Sequence, residues 1–176
     1  MMKQALLCLN ELVNEGVIGQ YAIGGAVGAS FYIEAVNTED VDVFVLMTPG
    51  PSDLISLGPI YEAMIAKGGA AKGEHITIGG WPVQILPAYK PLVEEALAAA
   101  TQTTFDGVPT RVLLPEHLCA IALDTGRLKD YLRVSMFIEQ HEVDLGSLWE
   151  LVRKFGLQDG LLRVSNWPGF PDERQS

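Results

Sequence analysis

From Asp40 to Leu46 the chain reads Asp-Val-Asp-Val-Phe-Val-Leu. Alternation of this kind with β-branched residues predicts a strand that buries one face. Val41, Val43 and Val45 fall on that face, and Asp40 and Asp42 both leave the other. At a rise of about 3.3 Å per residue their Cα atoms lie about 6.6 Å apart. Two carboxylates at that spacing can converge on one hard cation, or can simply be solvated at a strand end.

The stretch before this strand narrows the choice. Val17 to Ile23 is apolar and ends at Gly24-Gly25, which predicts a strand entering a tight turn, and Ala26 to Glu34 follows as a buried helix. A glycine turn between strand and helix can be a plain connection, or can aim backbone N–H groups at an anion. With the acidic pair fewer than about 20 residues away, the two features make the halves of a nucleotide–Mg²⁺ site.

Elsewhere the patterns alternate between strands and helices. Leu6, Leu9, Leu12 and Val13 predict a helix over 3–14, and residues 53–66 fit another after the Pro49-Gly50-Pro51-Ser52 loop. Ile76 to Ile78 and Trp81 to Leu86, joined by Gly79-Gly80, predict a hairpin; Thr103 to Leu114 predicts a second, turning at Asp106-Gly107. A helix over 92–100 lies between them. From Pro115 onward the reading is helical: 115–124, 127–140, 145–155 and 157–164, before an irregular tail. The expected fold is therefore α+β, a mixed β-sheet with flanking helices over 1–114, and a helical C-terminal extension over 115–176 packed on that core.

Charge restricts the partners. The 176 residues carry 12 Lys+Arg against 22 Asp+Glu, a formal charge of −10. That balance argues against a general nucleic-acid binder or an anionic membrane surface as partner, since both need clustered cations. Residues 1–66 hold eight acids and one base, Lys3, whereas seven of the twelve bases lie between Arg111 and Arg163. Cys8 and Cys119 stand alone, as expected of buried thiols in a reducing compartment. The apolar run from Ala5 to Leu9 is too short for a secretory signal, and no run approaches the ~20 residues of a membrane span. A cytoplasmic protein is expected.

Ala22-Ile23-Gly24-Gly25-Ala26, eight residues, Ala35, then Thr38-x-Asp40-x-Asp42-Val43-Phe44 resembles the nucleotidyltransferases of the DNA polymerase β superfamily. Within it the likeness is to the minimal bacterial group that includes the AbiEii-type toxin nucleotidyltransferases of toxin–antitoxin pairs. That group carries a later Lys-Asp on a helix, matched here by Arg127-Leu128-Lys129-Asp130. The resemblance covers residues 20–46 closely and 111–140 loosely. It implies transfer of a nucleoside monophosphate from an NTP to an acceptor, with Mg²⁺ or Mn²⁺ as cofactor. Asp40 and Asp42 would hold the metal; Gly24, Gly25 and Thr38 would face the nucleotide. Lys129 would meet the triphosphate or the acceptor as a catalytic residue. Arg127 and Arg133 lie beside it, as an anion-facing patch or as a solvated face compensated by Asp130. With the negative charge, a small molecule or a protein is favoured over a long nucleic acid as acceptor.

Two positions depart from the family pattern. Active members carry a third carboxylate on a later strand, where this chain has Gln84 in Trp81-Pro82-Val83-Gln84-Ile85-Leu86. A glutamine offers a neutral oxygen to a cation but neither charge nor a base. Glu74 is a candidate substitute, whereas Asp106 reads as a turn residue. Val36 stands where many relatives place a basic residue. The alternative function is thus a catalytically impaired member that binds a nucleotide or a protein; an Asp-x-Asp strand in an unrelated α+β domain is a third reading. His75, His117 and His141 are distant from one another in sequence, and no Ser-His-Asp arrangement suggests hydrolase chemistry.

Overall fold

The computed structural model describes residues 2–34, 38, 40–47 and 56–169, which form two compact units, Met1–Leu114 and Pro115–Ser176. The first is α+β. Its described elements run α1 (Met2–Asn14), β1 (Ile18–Ile23), α2 (Gly25–Ala29), β2 (Val41–Met47), α3 (Gly58–Ala66), β3 (Ala70–Lys72), β4 (His75–Ile78), β5 (Trp81–Pro87), α4 (Pro91–Ala99), β6 (Thr101–Phe105) and β7 (Val108–Val112). The strands make one mixed sheet in the order β3-β4-β5-β2-β1-β7-β6. Pairing is parallel between β2 and β5 and between β1 and β7, and antiparallel elsewhere.

Alternation in β2 and β5 decides what each face does. Val41, Val43, Val45, Val83 and Ile85 join Tyr21 and Ile23 in a core completed by Leu6, Leu9 and Leu12 of α1 and by Ile60 and Met64 of α3. Burying side chains of this size stabilises by about 1.5–3 kcal/mol each, which fixes the register of the central strands. Asp42, Phe44 and Gln84 consequently leave the other face, and α4 packs against β1 and β2. Lys67, at the end of α3, reaches Glu11 and Glu15 of α1 at 2.9 and 2.6 Å.

Several elements differ from the sequence expectation. Helix α2 stops at Ala29 instead of Glu34. The Ser30 hydroxyl donates back to the Val27 carbonyl at 2.7 Å, and Phe31 and Tyr32 continue in tighter i→i+3 turns. Asp40 lies one residue outside β2. Strand β3 was not expected because its three residues are exposed and carry no alternation. Residues 53–55 of the expected third helix and the loop at 49–52 lie outside the described residues, as do Ala35 and Val36. The second hairpin turns at Asp106 and Gly107, with φ of 50° and 75°, as a two-residue loop with both φ positive requires.

The second unit contains α5 (Pro115–Thr125), α6 (Leu128–Glu139), α7 (Leu145–Phe155) and the single turn α8 (Gln158–Leu161), shorter than the expected 157–164. Leu118, Leu123, Val134, Phe137, Leu148, Val152 and Leu161 are buried. Helix α7 is closed at both ends. Asp144 accepts from the Ser147 N–H at 2.7 Å, and Gly156 follows at φ 68°. Among the described residues no helix is long and apolar enough to cross a membrane. Both cysteines are free and buried, and burial raises each thiol pKa.

Candidate functional site

The glycine turn and the acidic strand meet directly. Gly25 sits at φ +56°, and a Cβ built there would lie 1.8 Å from Asp42 Oδ2. Only glycine fits this backbone and this approach together. A Cβ at Gly24 would strike the Phe44 ring at 2.3 Å, so Gly24 too is fixed, by an aromatic of the strand that carries Asp42. The Gly24 N–H, expected to face phosphates, instead donates to the Asp42 carbonyl at 2.9 Å and extends the β1–β2 pairing. The donors that helix geometry leaves over are the first-turn N–H groups of the five-residue α2.

Gln84 is the register partner of Asp42 across the parallel β2–β5 pair, so both side chains share a face and a level. The chain thus carries an amide where the resemblance implies a third acid. On the far side of β5, Ile78 pairs with Trp81 and Ile76 with Val83; the next step sets His75 opposite Gln84. His75 Nε2 reaches Asp40 Oδ2 at 3.3 Å, spanning β5. Thr38 Oγ1 donates to the Asp40 carbonyl at 3.1 Å and lies 3.2 Å from Oδ1. Asp40 is thus held by a hydroxyl and an imidazole, and Asp42 is seated on Gly25.

The sequence reading missed His75. Counting back from the Gly79-Gly80 turn gives its place opposite Gln84, but the contact with Asp40, 35 residues away, has no local signal. Glu74 is exposed at the β3–β4 turn, where the Tyr61 hydroxyl donates to its carbonyl at 3.2 Å. Burial, with Glu74's charge adding to it, raises the pKa of Tyr61.

Two hard carboxylate oxygens and one neutral amide oxygen are a donor set that suits a divalent cation of the Mg²⁺ class. Among the described residues no three His, Cys, Asp or Glu side chains form a metal-holding group, so a three-acid cage is not present there. Gln84 is the amide level with Asp42, and Asp40 lies two residues before it.

In the helical unit, Asp130 is 1% exposed and accepts from Arg127 Nε at 2.6 Å and Arg133 Nη1 at 3.3 Å. It also reaches back to the Arg127 N–H, closing the first turn of α6. The two arginines share one carboxylate, and Arg133 is buried instead of lying on an open patch. Lys129 is exposed.

Comparison with known proteins agrees with this architecture. No protein-family model and no curated protein matches the chain. Among solved structures it is similar to the crystal structure of ANT(2'')-Ia in complex with adenylyl-2''-tobramycin, at 14% identity and a TM-score of 0.59 over 90% of this chain and 99% of that one. The solution structure of the antibiotic-resistance factor ANT(2'')-Ia aligns at 13% identity and 0.56, over 92% and 95%. An antigenic nucleotidyltransferase-like protein from Paracoccidioides brasiliensis aligns at 16% and 0.53, over 88% of each chain. The chain has the nucleotidyltransferase fold.

Proposed function

We propose that the protein binds an NTP with Mg²⁺ or Mn²⁺ at the Asp40/Asp42 strand and transfers a nucleoside monophosphate to a small-molecule or protein acceptor. The observation that carries this reading is the seating of the Asp42 carboxylate on Gly25. It joins the acidic pair to the strand–glycine–helix junction that anion sites use. A divalent ion, when bound, would neutralise charge on the phosphoryl group in transfer. Asp40 and Asp42 would hold it, Thr38 and His75 would orient Asp40, and α2 would present its first-turn N–H groups to the phosphates. The resemblance to the AbiEii-type group would give Lys129 the triphosphate or the acceptor; within its own unit Arg127 and Arg133 hold Asp130 of the same helix. That one structural neighbour was crystallised with an adenylylated aminoglycoside supports a small hydroxylated or amino acceptor.

Gln84 in register with Asp42 favours a second reading, a nucleotide-binding relative without turnover. Calorimetric titration with each NTP, with and without Mg²⁺, tests the shared part. Metal-dependent binding is expected, weakened about tenfold or more by Asp42→Asn. Binding that ignores both metal and substitution would overturn the assignment. Incubation with NTP labelled at the α-phosphate and a panel of acceptors then separates enzyme from binder.

A further inference from the structure

The β1–β7 ladder is short. Its register holds Ile23 against Val112, and the Leu113 N–H donates to the Ile23 carbonyl at 3.1 Å. Toward the start of β1, side chains bridge the two strands. The Tyr21 hydroxyl lies 3.2 Å from Thr110 Oγ1, and Gln20 Oε1 accepts from Arg111 Nη1 at 3.0 Å. Here an open groove of about 860 Å³ runs between the end of α1, β1 and the β6–β7 hairpin. That is the size of a small-ligand site. Gln20 is four residues from Gly24, so the groove lies about 13 Å along β1 from the acidic pair's turn.

The floor is a fixed network. Tyr21 donates to Asn10 Oδ1 at 2.8 Å, and Asn10 Nδ2 donates to the Pro109 carbonyl at 2.9 Å. Burial raises the Tyr21 pKa, and the Thr110 hydrogen bond and the charge of Arg111 act against that. Asn14, Gln102, Thr103 and Thr104 also line the groove, with Gln102 and Thr104 on the Arg111 side of β6 and Thr103 on the Thr110 side, and their amide and hydroxyl groups make no side-chain hydrogen bond among the described residues. They supply both donors and acceptors, as a hydroxylated molecule requires.

The groove's charge is unlike its surroundings. Residues 1–114 contain twelve acids and five bases, yet no acid lines the groove and one of the five bases does. Arg111 gives three hydrogen bonds, to Gln20 Oε1 and to the carbonyls of Leu97 and Ala100, all uncharged oxygens. Two of a guanidinium's five N–H groups remain. Among the described residues no carboxylate forms an ion pair with it.

We infer that this groove is a second ligand site, which takes a small hydroxyl-rich anion of the sugar-acid or sugar-phosphate class on Arg111 and the amide and hydroxyl groups of α1 and β6. Titration of the full chain with gluconate, a hexose monophosphate, glucose and inorganic phosphate tests it. At least one of the two hydroxylated anions is expected to bind about tenfold more tightly than both glucose and inorganic phosphate. Which of them does so separates a carboxylate from a phosphate ligand. Asn14→Leu and Thr104→Leu change exposed positions, and each is expected to weaken that binding several-fold with an unchanged melting temperature. Arg111→Gln should bring the anion down to the affinity of glucose. Because Arg111 also holds the carbonyls that end α4, the two leucine variants decide if that protein fails to fold. Equal affinity for glucose, equal affinity for bare phosphate, indifference to the leucine variants or no binding at millimolar concentration would each overturn the site.

Discussion

Asp42 in the sheet unit and Asp130 in the helical unit are acids held in opposite ways. Asp130 is almost fully buried between two arginines of its own helix region, one 56% and the other 10% exposed. Asp42 is seated on a glycine, with an amide as its register partner and an aspartate two residues before it. The first arrangement completes itself within the chain. The second gathers negative charge around a turn where a side chain would not fit, in a stretch of residues 1–66 whose one base is Lys3. On the function proposed above, the contrast separates a carboxylate that serves folding from one that would serve a ligand, and each part of it can be broken by substitution.

The largest effect is expected at Asp130. Asp130→Ala removes the partner of a buried guanidinium and should destabilise by about 3–5 kcal/mol in urea unfolding. Asp42→Asn, by contrast, should stay within about 0.5 kcal/mol of the native chain while weakening metal-dependent nucleotide binding about tenfold or more. If the two substitutions destabilise equally, the distinction between folding and ligand acids is wrong.

Next in size is Gly25→Ala. It places a β-carbon at positive φ and displaces the Asp42 carboxylate, and about 2–3 kcal/mol of lost stability is expected. Gly73→Ala is the control, since Gly73 has φ +62° with nothing within 4 Å of the added carbon. It should lose about 1–2 kcal/mol from backbone strain alone. The excess at Gly25 measures the contact with Asp42; no excess would mean that the carboxylate swings away freely.

Gln84→Asp probes the same face with a smaller effect. Adding a carboxylate level with Asp42 should raise Mg²⁺ affinity about tenfold, or about 1.4 kcal/mol, by calorimetry without nucleotide. Unchanged affinity would show that position 84 does not share an ion with the pair.

How much of this was legible follows from the range of each signal. The alternation at 40–46, the Gly24-Gly25 turn and the Asp106-Gly107 hairpin are local patterns, and the structure has each of them. The single polar residue in the apolar run 81–86 was enough to locate Gln84, because a buried strand admits few alternatives. Three features escaped. The end of α2 depends on Ser30 bonding back to Val27, a competition that residue type alone does not decide. Strand β3 exists through its pairing with β4 and has no buried face of its own. His75 meets Asp40 only because β4 and β2 flank the same strand, which is a property of sheet order and not of either segment.

The smallest effect concerns a third kind of acid, one whose partner is backbone. Asp144 caps α7, and its pKa is lowered chiefly by the hydrogen bond from the Ser147 N–H. A carboxyl lowered in the folded state stabilises above its unfolded pKa, and that contribution is lost as pH falls through the folded value. Asp144→Ala should therefore lower the melting temperature at neutral pH and make no difference in strong acid, where the native cap is itself protonated. Asp144→Asn keeps a side-chain acceptor for the N–H without the charge, and should recover most of the neutral-pH loss with a flat pH response. Being exposed, the cap is a test of direction rather than of size. If Asp144→Ala and the native chain differ equally at both pH values, the charge plays no part and Asp144 is a cap by shape alone.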